Sequence, residues 1–195
     1  LTVYEEADLL HSAVLPIGSR HITNDLAVLL RTSIDVAERV KVEHGSTSNG
    51  EDMRRRGEID LSALLGEENF LIQKKQLIKV IDARVHELFD MVGNELKKFS
   101  KKGLLPAGVV LSGGGVNMPG IALLAKERLC LPVKIAKSIH FEGVSDIVDD
   151  PSFAVAMGAV LWGIERETGG NRKLSSQSGE DPFRKFLDWL KNFLP

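Results

Sequence analysis

The stretch Val109-Val110-Leu111-Ser112-Gly113-Gly114-Gly115-Val116-Asn117-Met118-Pro119-Gly120 constrains this chain more than any other. An apolar run breaks into three consecutive glycines and then gives way, after Pro119, to an apolar helical periodicity. Val109, Val110 and Leu111 suit a strand buried on both faces, as parallel sheets require. Glycine admits positive φ and lets a ligand lie directly on main chain. Pro119 suits the first turn of the following helix, whose free N–H groups favour negative charge. Strand, glycine turn and helix start together suggest a floor for a nucleotide. The same pattern also fits a tight strand–helix connection that binds nothing.

A chain of 195 residues is long enough for one or two domains with a real core. Lys+Arg 25 against Asp+Glu 27 nearly cancel, which leaves no bulk basic field for nucleic acid. Cys130 stands alone in an apolar run, so no disulfide framework can form within the chain and a reducing compartment is favoured. No apolar run approaches the roughly 20 residues of a membrane span, and the N-terminus has no signal-peptide pattern. The sequence opens without Met at Leu1-Thr2-Val3-Tyr4, a strand already under way, so a truncated chain is expected.

Strands are expected over 1–4 and 9–17, joined by an acidic turn around Glu5, Glu6, Ala7 and Asp8. His21-Ile22-Thr23-Asn24-Asp25 offers cap residues for a helix carrying Leu26, Leu29 and Leu30. Thr32 and Asp35 resemble a capping box that opens a second helix through Ile34, Ala37, Val40 and Lys41. Glu38 and Lys41, three apart, share a face of that helix, which by itself implies only an exposed ion pair. His11 and His21 lack partners at ligand spacing and are read as non-metal. Residues 45–57 are polar and aperiodic, with Arg54, Arg55 and Arg56 as a basic cluster, and read as a solvated loop. Short strands over 58–65 and 69–73 precede the longest helix, 74–99. There Leu77, Ile78, Ile81, Val85, Leu88, Phe89, Val92, Leu96 and Phe99 recur at three and four. Lys75, Lys79 and Arg84 lie on its polar side. A strand over 131–135 completes a strand–helix–strand unit. Glu142, Asp146, Asp149 and Asp150 lack cation-loop spacing and read as surface. A helix over 153–165, rich in small residues, ends the folded region.

Residues 166–180 contain almost nothing to bury and read as a flexible linker. Beyond them Asp181 caps, Pro182 takes the first turn, and Phe183, Phe186, Leu187, Leu190, Phe193 and Leu194 fall on one face. Arg184, Lys185 and Lys191 are on the rest, with Trp189 at the margin. An aromatic-rich apolar face beside a mainly cationic one suits a helix lying in a membrane interface. Docking back onto the chain's own domain is the structural alternative, which the polar linker disfavours.

Several segments together carry a resemblance: Val14-Leu15-Pro16-Ile17-Gly18, His21-Ile22-Thr23-Asn24-Asp25-Leu26-Ala27, Leu30-Arg31-Thr32, Ala37-Glu38-Arg39-Val40-Lys41, the triple glycine with Pro119-Gly120, and the terminal helix. The glycine turn alone points only to the broad actin, Hsp70 and hexokinase class. The full set resembles the FtsA family of actin-like bacterial cell-division proteins, from residue 1 to 165 and again from 181. The resemblance implies an α/β fold: the second lobe of an actin-like, ribonuclease H-like ATPase, with a mixed sheet flanked by helices and a terminal amphipathic helix. The lobe would span 1–165, with an inner subdomain over about 1–45 and 103–165 and an outer one over about 46–102.

The resemblance also implies binding of ATP with Mg2+, tethering of FtsZ to the membrane, and self-association into actin-like filaments. Gly113, Gly114 and Gly115 match the adenosine-contacting turn, with Met118 near the base, and Glu38 and Lys41 match the pair at ribose and adenine. Arg84, with Lys79 and Lys75 behind it, would meet the acidic C-terminal peptide of FtsZ. Residues 183–194 would bind anionic lipids at the cytoplasmic face of the cell membrane at the division site. The family's first lobe and phosphate loops find no match here. The chain alone is therefore expected to bind nucleotide weakly and hydrolyse nothing. A pilus-assembly or shape-determining scaffold is one alternative, and a fragment of a sugar-kinase-type enzyme is another.

Overall fold

Glu6 and Ala7 both adopt positive φ, 49° and 75°, the backbone that a two-residue hairpin needs to match the twist of its strands. They join β1 (Thr2–Glu5) to β2 (Asp8–Ser12) in an antiparallel pair whose register shifts between Val3 and Tyr4. This computed structural model describes residues 1–50, 57–66, 68–98, 105–137 and 150–167. The hairpin is shorter than its apolar pattern suggested, because Pro16 and Gly18 lead instead into α1 (Ser19–Leu30).

Gly18 is the N-cap of α1, and His21 Nδ1 accepts the Gly18 N–H at 3.2 Å. Thr23 and Asp25, read from sequence as cap residues, are therefore inside the helix. Ser33 rather than Thr32 caps α2 (Ile34–His44), its hydroxyl accepting from Val36 N. After β3 (Glu58–Asp60) the expected strand turns into a one-turn helix, α3 (Ser62–Leu65). The Asp60 carboxylate accepts from Ser62 N at 2.9 Å, a local bond that competes with strand pairing. β4 (Leu71–Gln73) pairs antiparallel with β3 and runs straight into α4 (Lys74–Lys97).

The second half contains β5 (Val109–Leu111), a 3-10 turn at Gly114–Asn117, α5 (Ile121–Leu129) and β6 (Val133–Ile135). β5 and β6 are parallel, with Val110 opposite Lys134. Val109 and Leu111 face inward, whereas Val110 is 65% exposed, so the strand is not buried on both faces. Successive side chains of a strand point to opposite faces, which puts Val110 on the face away from Val109 and Leu111. Cys130 is likewise exposed despite its apolar neighbours. It sits at the left-handed end of α5, outside the packed stripe.

One cluster forms the core. Ile22, Leu26 and Leu30 of α1 meet Ala37 and Val40 of α2, Leu77, Ile81, Val85 and Phe89 of α4, and Ile121, Leu124 and Ala125 of α5. The three-and-four spacing on α4 places its apolar stripe along this cluster. Burying each such large side chain contributes about 1.5–3 kcal/mol before ordering costs.

The chain divides into two compact units, Leu1–Ser152 and Phe153–Pro195. In the second, α6 (Ala154–Glu167) exposes Val155 and Trp162, with the Arg166 guanidinium 4.9 Å above the Trp162 ring. Among the described residues no helix is long and apolar enough to cross a membrane. Helix α6 continues through Arg166 and Glu167, the first two residues of the expected linker. The rest of the linker (168–180), the basic cluster Arg54–Arg56, the acids Glu142, Asp146 and Asp149, and the whole terminal helix, including Phe183, Arg184, Lys185, Phe186, Leu187, Trp189, Leu190, Lys191, Phe193 and Leu194, lie outside the described residues.

Candidate functional site

Helices α1 and α2 lie side by side, and their contact is polar where a ligand site is expected. Thr23 on α1 is buried to 1% exposure. Its Oγ1 donates to Glu38 Oε2 at 2.5 Å and accepts from Lys41 Nζ at 2.9 Å. Lys41 Nζ also donates to Glu38 Oε2 at 2.6 Å, closing a three-membered ring of polar groups. The lysine side chain is nearly buried, and the glutamate about half exposed. Burial pushes the Glu38 pKa up, but the hydrogen bonds from Lys41 and Thr23 and the Lys41 charge outweigh it, so the carboxyl is held below its ordinary value of 4.5. Glu38 is thus a carboxylate at neutral pH, and among the described residues its Oε1 has no partner.

The glycine turn touches the same helix one turn earlier. A Cβ added to Gly115 would stand 3.3 Å from the Ser19 Cβ, and the Ser19 carbonyl is 3.4 Å from Thr23 Oγ1. Gly113 takes φ 97°, which favours glycine, and its Cβ direction meets nothing within 4 Å. Gly114 faces Ser152, whose hydroxyl would lie 3.2 Å from an added Cβ. Asn117 then pins the turn by donating to Asp150 Oδ1 at 2.9 Å and Ser152 Oγ at 3.2 Å. Ser152 N and Asn117 together hold the Asp150 carboxyl below its ordinary range. Met118 is extended and half-buried, packed against the core cluster. α5 starts at Ile121 with Gly120 as N-cap, so Pro119 precedes the helix rather than occupying its first turn.

Residues 45–50 are not the solvated loop their polarity suggested. Ser46 and Thr47 are buried to 1% and 0% exposure. Thr47 N and Oγ1 both donate to the Pro119 carbonyl at 3.0 Å, and Ser48 N donates to Asp82 Oδ1 at 2.9 Å. With the Ser46 hydroxyl donating to the Thr47 carbonyl at 3.0 Å, these bonds satisfy the buried groups of Ser46 and Thr47, whereas the neighbouring Asn49 Nδ2 is buried without a partner among the described residues. At Gly120, φ is 84° and a Cβ would come within 2.3 Å of both Gly50 N and Thr47 Oγ1. The segment after α2 is thereby fastened to Pro119, next to Met118.

Arg84, on α4, is engaged within the fold. Its Nε and Nη2 donate to Asp25 Oδ2 and Oδ1 at 2.7 and 2.9 Å, and Nη1 donates to Glu87 Oε2 at 2.5 Å. The Asp25 hydrogen bonds lead the causes that raise the Arg84 pKa further. Lys75 and Lys79 are exposed and make no ion pair among the described residues. The sequence pairs Glu38 with Lys41 on one helix face, but it gives no sign that Thr23 joins them or that Asp25 receives Arg84. Thr23 stands fifteen residues before Glu38, and no local pattern joins two residues on separate helices.

The family model for cell division protein FtsA matches residues 1–158. The chain belongs to the FtsA family. It is 29% identical over its whole length to the cell division protein FtsA of Pseudomonas aeruginosa, covering 47% of that protein. Against the FtsA of Neisseria meningitidis it is 36% identical over 81% of the chain and 38% of the relative, and against that of Escherichia coli K12, 27% over 98% and 48%. The chain thus spans about half the length of the curated FtsA proteins it matches. Among solved structures it is similar to MreB5 of Spiroplasma citri bound to ADP, with TM-score 0.59 and 20% identity over 84% of this chain and 50% of that one. It is also similar to the PilM–PilN type IV pilus biogenesis complex, with TM-score 0.58 and 21% identity over 80% and 40%. These likenesses establish the actin-like α/β fold of the FtsA family member. Pilus-assembly and shape-determining proteins share that fold, while the family match separates this chain from them.

Proposed function

We propose that this FtsA-family chain supplies one wall of an adenine-nucleotide site and, in its parent protein, links FtsZ to the cell membrane at the division site. The observation that supports the nucleotide reading is the join between Gly115, Ser19, Thr23, Glu38 and Lys41. A glycine turn with an open face thus lies against α1, whose Thr23 holds the carboxylate–ammonium pair of α2. Such a set suits adenosine: the main chain of Gly113–Gly115 lies along a flat ring, with Met118 beside it, while Glu38 accepts from ribose hydroxyls and Lys41 donates. ATP with Mg2+ would bring phosphates and a metal. Among the described residues no three His, Cys, Asp or Glu side chains gather as metal ligands. This chain's own contribution is to bind and orient.

An acidic peptide, such as the C-terminal peptide of FtsZ, would approach the exposed Lys75 and Lys79 and reach Arg84 by displacing Asp25 or Glu87. Residues 181–195 would lie on anionic lipid through their apolar face, and self-association would array the tethered lobes. Co-sedimentation with anionic liposomes tests the tether by comparing this chain with one ending at Glu180. The longer chain should pellet, less so at high salt, and the shorter one should stay in solution. Equal behaviour of the two would remove the membrane role from residues 181–195. ATP binding that is lost in Lys41→Ala tests the nucleotide wall.

A further inference from the structure

Resting on the nucleotide-site reading above, we infer that Thr23 is a positioning residue that sets which atoms of Glu38 and Lys41 face the ribose. A threonine hydroxyl has one proton to give and two lone pairs to offer. Lys41 Nζ can only donate, so at 2.9 Å it occupies an acceptor position of Oγ1. The hydroxyl proton then goes to Glu38 Oε2 at 2.5 Å rather than to the more distant Ser19 carbonyl at 3.4 Å. Lys41 spends a second proton on the same Oε2 at 2.6 Å. The ring is therefore closed on one oxygen of the carboxylate and two of three ammonium protons. Among the described residues Glu38 Oε1 has no partner, and one Lys41 proton is unspent.

What remains is one strong acceptor and one strong donor, fixed relative to each other by a buried hydroxyl. That is the complement of a vicinal diol, in which one hydroxyl gives its proton and its neighbour accepts one. An exposed Glu–Lys pair three apart on a helix would swing through many rotamers and hold no such geometry. Thr23 is nearly inaccessible and β-branched, so its own χ1 is restricted within the helix. It transfers that rigidity to two longer side chains.

The test uses the 195-residue chain and two probes, adenosine and 2′,3′-dideoxyadenosine, titrated to millimolar concentration while amide resonances of Gly113–Gly115 and Lys41 are followed. Wild type should prefer adenosine by about tenfold, the scale of a hydrogen bond to a charged group. Thr23→Val keeps the shape, removes the hydroxyl and should bring the ratio of the two affinities close to one. Thr23→Ser should retain the ratio within about threefold. A loss of general stability lowers both affinities together and leaves the ratio alone. Wild-type discrimination that survives Thr23→Val but disappears in Glu38→Gln would overturn the positioning role while keeping the nucleotide site. A wild-type chain that binds neither probe, or both alike, would overturn the ribose-facing reading and this inference with it.

Discussion

Helix α1 meets its neighbours through two polar junctions that do opposite things. Towards α4, Asp25 receives Arg84 in a two-pronged bond, and Glu87 takes the remaining guanidinium nitrogen. Every nitrogen of that group has a carboxylate, so the junction is closed on itself. Towards α2, Thr23 draws Glu38 and Lys41 together yet leaves a carboxylate oxygen and an ammonium proton unspent. Two residues apart on one helix, α1 gathers a carboxylate and an ammonium of α2 through a hydroxyl and clamps an arginine of α4 through a carboxylate. The difference shows why an ion pair by itself says little about function. What distinguishes a candidate site is the bonding capacity left over after the fold has been satisfied.

The largest effect should come from removing what both junctions share. Leu26, fully buried on α1 between the two polar faces, supports each of them. Leu26→Ala should cost about 2–5 kcal/mol, read as a lower urea midpoint, and should loosen both junctions at once. A loss below about 1 kcal/mol would mean that the site collapses around the cavity, and that α1 is not the common support. Next in size is Gly120→Ala, which forces a Cβ to within 2.3 Å of Gly50 N and Thr47 Oγ1 at φ 84°. Strain and overpacking together should cost about 2–4 kcal/mol. Because Thr47 lies three residues beyond the end of α2, this change should also disturb Lys41 resonances while sparing those of Arg84.

Much of this arrangement could be read from the sequence, and the failures share one cause. The stripe from Leu77 to Leu96 announced α4 almost to its ends because a helix repeats its own pattern. Glu38 and Lys41 could be paired because three residues along one helix is a local relation. The triple glycine marked the turn. By contrast, Ser46 and Thr47 looked solvated, yet they are buried because Pro119, seventy-two positions beyond Thr47, supplies a carbonyl. Thr23 and Asp25 looked like cap residues, yet each is claimed by a different helix. Val110 looked doubly buried because its neighbours are apolar, but a strand's faces are covered by other elements, not by adjacent residues. Local periodicity is written in the chain, whereas the partner of a polar group is decided by packing.

Arg84→Lys sharpens the contrast at a smaller scale. Lysine offers a point charge in place of the planar fork, so it can reach Asp25 or Glu87 but cannot bond both Asp25 oxygens in the same way. Arg84→Ala should lower stability by about 1 kcal/mol, since both partners remain partly exposed. Lysine should recover less than half of that in the same denaturation assay. Full recovery by lysine would show that net charge, not the fork, closes the junction. In either variant the affinity for adenosine should stay at the wild-type value, because this junction joins α1 to α4 and makes no bond to Glu38 or Lys41.

The smallest effect isolates the open junction. The Glu38 carboxyl is held below its ordinary value of 4.5: burial pushes it up, and the bonds from Lys41 and Thr23 with the Lys41 charge more than offset this. A carboxyl with a depressed folded pKa stabilises the fold at pH above its unfolded value and loses that contribution as pH falls through the folded one. Stability of wild type relative to Glu38→Gln should therefore be constant above about pH 6 and shrink as pH drops below 4.5. With the side chain about half exposed, screening should keep the difference near 0.5 kcal/mol. Thr23→Val should move the window upward towards 4.5, because it removes one of the bonds that favour the charged form. If the two stability curves ran parallel down to pH 3, Glu38 would carry the same proton affinity folded and unfolded. The ring around Thr23 would then be too loose to present an acceptor to anything.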